Sequence, residues 1–332
     1  MSLTLFESGP RKATTPPAAI EAAGLVKCYE HVEAVRGIDL TVATGELFGF
    51  LGPNGAGKST TIKMLCTLLR PTAGTARVVG FDVVRERTQV RRHIGLEFQE
   101  TTLDDHLTAD QNLRFHADIY GMPRATVGPR ADIVLELVGL SDRRGSLVRT
   151  FSGGMKRRLE IARGLLHSPR VLFLDEPTLG LDPESRAGLW SYVDQLRKEE
   201  DITVFLTTHY MDEAERCDRI AIIDAGQIGA LDSPATLKST VGHDRVRLQT
   251  ADDAEAQVLI RTQLGVEVLQ ESGALIVLVP DGEQFVPRLF ELGLTVRSVS
   301  VTRPTLDDVF LAYTGSRLAD RQTATPGSRR GR

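Results

Sequence analysis

The segment FLGPNGAGKST (residues 50–60) constrains the fold of this chain more than any other stretch. Its three glycines and its proline suit neither a continuous helix nor a continuous strand, so the centre of the segment is a loop. An apolar run of strand length precedes it at 46–51, and apolar residues at helical spacing follow it over 60–69. This order predicts a strand, a loop and a helix, the repeating unit of an α/β domain.

The loop matches the Walker A pattern, in which four residues separate Gly52 from Gly57, Lys58 and Ser59. Glycines let backbone N–H groups converge on one point, and the positive end of the following helix faces the same point. The ammonium of Lys58 adds a charge for the β- and γ-phosphates, and the Ser59 hydroxyl is a ligand for Mg²⁺. The predicted nucleotide contacts of this loop are Gly52, Pro53, Asn54, Gly55, Ala56, Gly57, Lys58, Ser59 and Thr60.

A second motif, VLFLDEP (171–177), has the form of a Walker B strand. Asp175 stands at the carboxyl end of the apolar run, where it would approach the metal ion, through a water molecule. Glu176 follows it, and a second carboxylate at this place can polarise a water molecule for attack on the γ-phosphate.

Strand and helix patterns alternate over the first two thirds of the chain. Continuous apolar runs at 170–175, 202–207 and 219–224 are typical of parallel strands that are covered on both faces. The segment 182–196 begins with Asp-Pro and carries apolar residues on one helical face. Residues 100–167 are mostly helical in pattern and predict a subdomain inserted between strands. The prediction is an α/β domain with a largely parallel sheet.

The rhythm changes after about residue 245, where strand and helix patterns follow in the order βαββαβ, which predicts a small ferredoxin-like α+β domain. Both ends of the chain have the polar composition of disordered tails. The predicted divisions are a tail at 1–17, an ATP-binding domain at 18–242 with its helical subdomain at about 100–167, an accessory domain at 243–316 and a tail at 317–332.

Charge and cysteine content exclude several functions. The formal net charge of −4 lacks the basic excess that nucleic-acid binders show, so no nucleic-acid partner is expected. The three cysteines are far apart and form no CxxC pair, which fits a reducing cytoplasm. No apolar run reaches the ~20 residues that span a bilayer. We therefore expect a soluble protein, or one that is attached to the membrane only through a partner.

The segment TFSGGMKRRLEIARGLL (150–166) predicts a helix that opens with Ser152, Gly153, Gly154 and Met155. Two glycines and a serine at a helix N-terminus form a further anion site. This segment resembles the signature motif of ABC-type ATPases. Met155 replaces the more frequent glutamine of that motif, and Phe151 replaces the usual leucine. Since both changes keep the Ser-Gly-Gly amides, the resemblance still implies contact with phosphate.

The resemblance covers residues 18–242, because further family elements appear in order. Tyr29 matches the aromatic residue that stacks on adenine, and Gln99 matches the glutamine that senses the metal ion and the attacking water. Asp182 matches the loop that communicates across the dimer, and His209 matches the histidine that contacts the γ-phosphate. Each residue alone has an ordinary structural interpretation; the fixed order favours the functional one.

The family resemblance implies an ATPase that uses ATP and Mg²⁺. Glu176, His209 and Gln99 are then the catalytic residues, and Ser59, Gln99 and Asp175 hold the metal ion. In this family two ATP-binding domains face head to tail. ATP lies between the phosphate loop of one and the signature segment of the other, so that ATP binding closes the dimer and hydrolysis opens it.

Three segments of the chain resemble those of the daunorubicin-resistance type of bacterial drug-exporter ATPases. They are EPTLGLDPESR, the segment that begins TTHYMDEAE, and RPTLDDVFLAYTG at 303–315. That resemblance implies a homodimer of ATP-binding subunits, separately encoded transmembrane permease subunits, and export of drugs, antibiotics or lipids. It also implies a peripheral location on the cytoplasmic side of the cell membrane, with membrane contact through the permease.

Three alternatives stay open at this stage. An importer ATPase is the nearest, since the direction of transport is implied only by the resemblance. A non-transport ABC ATPase, such as a translation or chromosome-organising factor, usually needs two cassettes or a long coiled coil, and neither pattern is present. A regulator without hydrolysis would lack an acidic residue after Asp175, where this chain has Glu176.

Overall fold

The computed structural model describes residues 18–98, 101–200, 202–271 and 273–315. The strands, in chain order, are β1 (Ala18–Tyr29), β2 (Val32–Ala43), β3 (Leu47–Leu51), β4 (Ala73–Val78), β5 (Phe81–Asp82), β6 (Ile94–Glu97), β7 (Val171–Asp175), β8 (Thr203–Thr208), β9 (Arg219–Asp224), β10 (Gln227–Asp232), β11 (Asp244–Thr250), β12 (Val268–Glu271), β13 (Ala274–Val279) and β14 (Val296–Thr302). The helices are α1 (Lys58–Leu65), α2 (Arg87–His93), α3 (Ala109–Ile119), α4 (Arg124–Leu137), α5 (Gly153–Leu165), α6 (Pro183–Glu200), α7 (Met211–Ala214), α8 (Pro234–Val241), α9 (Asp253–Leu259), α10 (Gly282–Glu291) and α11 (Leu306–Thr314).

The central sheet has six strands in the order β10-β9-β3-β8-β7-β6. All neighbouring pairs are parallel except β9 and β10. Strands β3, β7 and β8 are buried along their whole length, which explains why they are continuous apolar runs. The predicted α/β domain with a largely parallel sheet is confirmed.

A second, antiparallel sheet with the strand order β2-β1-β4-β5 packs beside the central sheet, and the sequence analysis did not predict it. Register shifts interrupt the pairing of β1 with β2, so the apolar and polar residues do not alternate regularly. Both sheets contribute to one buried cluster, which includes Ile20 and Val42 as well as Phe48 and Phe205. The rings of Phe48 and Phe205 stack with centroids 5.5 Å apart. This cluster fixes the base of the phosphate loop.

The helix after the phosphate loop is shorter than the predicted segment 60–69, because α1 ends at Leu65. Thr67 has a left-handed backbone with φ of 64°, and the amides of Leu68 and Leu69 both donate back to the Lys63 carbonyl. This turn closes the helix before Pro71, and it leaves Leu68 half exposed. The predicted apolar face is therefore wrong at Leu68, whereas Leu69 still packs against the buried cluster although it lies beyond the helix.

Helices α3, α4 and α5 form the predicted helical insertion, and their buried residues belong to a core that they share with α6. Within the described ranges, every helix is too short or too polar to cross a lipid bilayer.

The C-terminal part contains β11 to β14 with α9 and α10, in the predicted order βαββαβ. Its antiparallel sheet has the strand order β12-β13-β11-β14 and a buried cluster of its own. The last helix, α11, leaves this unit and packs against α8. Leu306, Val309 and Phe310 are buried in the core of the ATP-binding part. The domain limits at 242 and 316 stay predictions; residue 316 and both predicted tails lie outside the described residues.

Candidate functional site

The phosphate loop connects the end of β3 to the start of α1 and lines a cavity of about 530 Å³. Gly57 stands immediately before α1 with φ of 107°, a conformation that side-chain-bearing residues rarely adopt. A Cβ atom there would lie 2.5 Å from the Ala34 carbonyl oxygen, so only glycine fits. The cavity is lined by Ala34, Pro53, Asn54, Gly55, Gly57, Lys58, Ser59, Thr60 and Glu176.

Lys58 supplies the positive charge of this cavity. Its side chain is 4% exposed, and Nζ donates to the carbonyl oxygens of Gly52 at 2.7 Å and Pro53 at 3.2 Å. The same Nζ lies 3.1 Å from Oε1 of Glu176. Because the N-terminus of α1 opens on the same space, the cavity combines a buried cation with a positive helix end. This arrangement suits a phosphate chain.

Ser59 and Asp175 meet beside the cavity, since Ser59 Oγ lies 3.2 Å from Asp175 Oδ1. The hydroxyl of Thr207, at the end of β8, donates to the same Asp175 oxygen at 2.6 Å. Hydroxyl and carboxylate oxygens are the ligands that Mg²⁺ prefers. Across the described segments no cluster of three His, Cys, Asp or Glu residues forms a complete metal cage. The pair therefore fits Mg²⁺ that keeps waters and phosphate oxygens as its other ligands.

Glu176 occupies a strained turn at the end of β7, with φ of 50°. Its amide donates to the carbonyl of Thr207 at 3.2 Å, which directs the carboxylate towards the cavity. Burial alone would raise the pKa of Glu176, but the hydrogen bond from His209 and the ammonium of Lys58 outweigh burial and lower this pKa below its ordinary value. His209 Nδ1 lies 3.3 Å from Oε1 of Glu176. The carboxylate is thus ionised and can accept a proton.

Tyr29 and the signature residues lie outside the lining of this cavity. Tyr29 ends β1, is 43% exposed, and has the ammonium of Lys27 at 5.2 Å from its ring centroid. An exposed ring at this place is available for stacking on a base, and the adenine contact stays a prediction.

The signature segment forms the N-terminus of α5, where the Ser152 hydroxyl accepts from the Met155 amide at 3.2 Å. Ser152 and Gly153 are exposed. Gly154 is buried against α6, and a Cβ atom there would lie 2.5 Å from Ser185 Oγ. Among the described residues that line the phosphate cavity, none comes from this segment. One copy of the chain therefore does not bring its own signature residues to its own phosphate loop.

Asp182 has a structural function at the start of α6, where the Asp-Pro pair predicted that a helix begins. Its carboxylate accepts from the Ser185 amide at 3.0 Å and from the Ser185 hydroxyl at 2.6 Å, which caps α6. The bond from the Ser185 hydroxyl, followed by the bond from the Ser185 amide, lowers the pKa of Asp182. Its function across a dimer stays a prediction. Gln99, the remaining predicted residue, lies outside the described residues.

The sequence analysis missed three polar residues that organise the site. Thr207 contacts both acidic residues of β7. Glu213, on α7, is buried and accepts from the hydroxyls of Thr178 and Thr208. Burial raises the pKa of Glu213, against the effect of these two donors. Arg157, on α5, is 6% exposed and reaches the same region. Glu213 bonds one neighbour five residues away and one 35 residues away, whereas the turn that Arg157 contacts is 18 to 20 residues away in the sequence.

Comparison with known proteins identifies the family of the chain. A family model described as ABC transporter matches residues 35–179. The chain is 46% identical over 319 residues to a daunorubicin/doxorubicin resistance ATP-binding protein of Streptomyces peucetius, covering 93% of this chain and 96% of that protein. It is 37% identical over 311 residues to a linearmycin resistance ATP-binding protein of Bacillus subtilis (strain 168), covering 91% of this chain and all of that protein.

Solved structures agree with these relatives. The ATP-binding subunit of an ABC transporter superimposes with a TM-score of 0.60 at 29% identity, over 67% of this chain and 92% of that chain. A dimeric ATP-binding cassette bound to ADP and Pi superimposes with a TM-score of 0.59 at 26% identity, over 64% of this chain and 98% of that chain. None of these findings favours the importer or the non-transport alternative. The chain therefore belongs to the ABC transporter family, as an ATP-binding and ATP-hydrolysing subunit of its drug-resistance group.

Proposed function

We propose that two copies of the chain close on ATP and Mg²⁺ and drive the export of drugs, antibiotics or lipids through separate permease subunits. The observation that carries this proposal is the incomplete site of the single chain. Its phosphate cavity holds Lys58, Ser59 and Glu176, whereas the exposed signature residues Ser152 and Gly153 stand away from that cavity. A second copy, placed head to tail, would supply the missing donors to the bound nucleotide.

Each residue of the site has its own function in binding or hydrolysing ATP. Backbone amides of the loop and the ammonium of Lys58 bind the phosphates, and Tyr29 stacks on the base. Ser59 and Asp175 hold Mg²⁺, which neutralises phosphate charge when it is bound. Glu176 orients a water molecule and accepts its proton, since Lys58 and His209 keep the carboxylate ionised. His209 lies beside Glu176 and contacts the γ-phosphate.

The proposed partners and location are supported by the family to which the chain belongs. The permease subunits cross the membrane and select the substrate. The chain binds their cytoplasmic surface, so that its own membrane contact is indirect. The names of the relatives support a substrate class that includes daunorubicin, doxorubicin and linearmycin.

The first prediction concerns Glu176→Gln. The amide cannot accept the proton of the attacking water but keeps the size of the side chain, so ATP binding should persist while turnover falls about a hundredfold or more. The trapped ATP should hold the dimer together. Size-exclusion chromatography with Mg-ATP and steady-state ATP hydrolysis measure the two effects. The exposed Glu184→Gln serves as a control that should behave like the unsubstituted chain.

A Glu176→Gln chain that stays monomeric with ATP would contradict the proposed dimer. Reconstitution in vesicles with the permease encoded beside the chain, and a panel of drugs and lipids, tests the substrate class. Uptake of a nutrient that depends on an external binding protein would favour the importer instead.

A further inference from the structure

Arg157 connects three segments of the ATP-binding part through its guanidinium group. Nη2 donates to the carbonyl oxygens of Asp175 at 3.3 Å and Glu176 at 3.2 Å, and Nε donates to that of Pro177 at 2.7 Å. Nη1 donates to the carbonyl oxygen of Phe98, which follows β6. One buried side chain on α5 thus holds the turn that carries Glu176 and the end of the neighbouring strand.

Two buried acidic residues face the guanidinium of Arg157, and burial raises the pKa of the first, Glu97, to about 8. Nε of Arg157 lies 2.6 Å from Oε1 of Glu97, which is completely buried at the end of β6. Nη1 lies 3.5 Å from Oε2 of Glu160, one helical turn further along α5. Glu160 in turn accepts from the Thr102 amide at 2.7 Å. Arg157 and Glu160 therefore hold both flanks of the segment that joins β6 to the helical subdomain.

The N-terminus of helix α5 also carries the signature residues, which precede Arg157 by less than about one and a half helical turns. A helix moves as a rigid body over this distance because its backbone hydrogen bonds are continuous. Any displacement of the turn at Asp175–Pro177 is therefore passed by the guanidinium to the start of α5. The arginine fork suits this connection, since it offers five donors in a fixed plane, whereas a lysine offers one point charge.

We propose that Arg157 is a positioning residue that couples the nucleotide cavity of a subunit to the signature segment of the same subunit. This proposal rests on the proposed function, because in the head-to-tail dimer the signature segment of one copy serves the ATP of the other. Arg157 then connects the two ATP sites: the state of one cavity sets the orientation of the donors offered to the second.

The first test follows amide hydrogen exchange of the full-length chain, at concentrations where it is monomeric, with and without Mg-ADP. In the unsubstituted chain, nucleotide should slow exchange in 171–177 and also at the start of α5. In Arg157→Lys the slowing should persist at 171–177 and disappear from α5. Arg158→Lys is the matched control, because Arg158 binds the Val138 carbonyl and the Tyr192 hydroxyl instead of the turn at Asp175–Pro177.

The second test measures ATP hydrolysis by the chain with its permease. Arg157→Lys should lower kcat about tenfold, leave KM within about twofold, and move the Hill coefficient for ATP towards one. If Arg157 had only a structural function, its replacement would instead lower the amount of active protein and leave the Hill coefficient unchanged.

A third variant removes the effect of an unpaired buried charge. Loss of Arg157 alone removes a group that lowers the raised pKa of the buried Glu97, which destabilises the fold at neutral pH. In Glu97→Gln with Arg157→Gln neither position can ionise, so the melting temperature should recover relative to Arg157→Gln alone while the coupling stays absent. The proposal is overturned if this double variant restores cooperative turnover, or if Arg157→Lys keeps the exchange pattern of the unsubstituted chain. If the unsubstituted chain shows the expected exchange pattern but does not hydrolyse ATP with its permease, the proposed function is overturned and the proposal about Arg157 is not.

Discussion

The hydroxyl of Thr207 holds both acidic residues at the end of β7. It donates to Asp175 Oδ1 at 2.6 Å and accepts from the Glu176 amide at 3.1 Å. Asp175 is a candidate metal ligand and Glu176 a candidate base, so one small side chain on β8 fixes the distance between the two functions. Precision of this kind decides how well a water molecule can be placed beside the γ-phosphate.

Replacing Thr207 by valine should therefore lower turnover through geometry. The shape of the side chain is kept, but the hydroxyl is lost, and we expect about tenfold lower kcat and a higher Mg²⁺ concentration for half-maximal activity. Titration of ATPase activity with Mg²⁺ measures both. Thr203→Val is the control: Thr203 lies at the other end of β8, where its hydroxyl accepts from the Gly45 amide. Equal loss of activity in the two variants would show that the hydroxyl acts on stability alone.

Helix α11 shows how one element can join two parts of the chain. It begins with a capping box formed by Thr305 and Asp308 and follows the last strand of the C-terminal sheet. Its buried side chains pack in the core of the ATP-binding part, where α8 is its main neighbour. The segment PTLDDVF, which resembles a segment of drug-exporter ATPases, thus packs in the ATP-binding part of this chain. Its position in the sequence, after the accessory domain, did not indicate this packing.

Phe310→Ala should destabilise the ATP-binding part by about 3–5 kcal/mol, because a completely buried ring is replaced by a cavity. Leu311→Ala is the control on the next residue, which is 37% exposed and should cost less than about 1 kcal/mol. Urea unfolding measures both values. Similar losses for the two residues would mean that the helix does not pack in this orientation in solution.

Three separate buried clusters lie within the part of the chain that the structure describes. One lies between the two N-terminal sheets, one lies under the helical subdomain and α6, and one lies inside the C-terminal sheet. The residues of the nucleotide cavity belong to the part that the first two clusters support. The C-terminal cluster is thus expected to unfold without removing the catalytic residues from their positions.

Leu248→Ala tests this separation. Leu248 is completely buried in the C-terminal cluster, and its loss should cost about 2–5 kcal/mol in that unit. Calorimetry should show one thermal transition moved to lower temperature, with ATP hydrolysis at 25 °C unchanged within about twofold. Loss of hydrolysis together with the lowered transition would instead show that the C-terminal unit supports the catalytic part directly.

Much of the fold and the site could be predicted because the signals are local. The loop before α1 needs glycines at fixed positions, and the covered strands β7, β8 and β9 need continuous apolar runs. In the C-terminal unit, the spacing of apolar residues changes between the period of a strand and that of a helix. Each of these is a constraint on residues within a few positions of one another, so it is written in the sequence directly.

Other features depend on residues that are far apart in the chain, and no local pattern contains them. The antiparallel sheet needs the pairing of β1 with β4, the anchoring of α11 needs the surface of α8, and the bonds of Arg157 need the ends of β6 and β7. A buried arginine is stable only where carbonyl and carboxylate oxygens surround it. Long-range packing brings those oxygens together, so the position of Arg157 was decided by the tertiary structure alone.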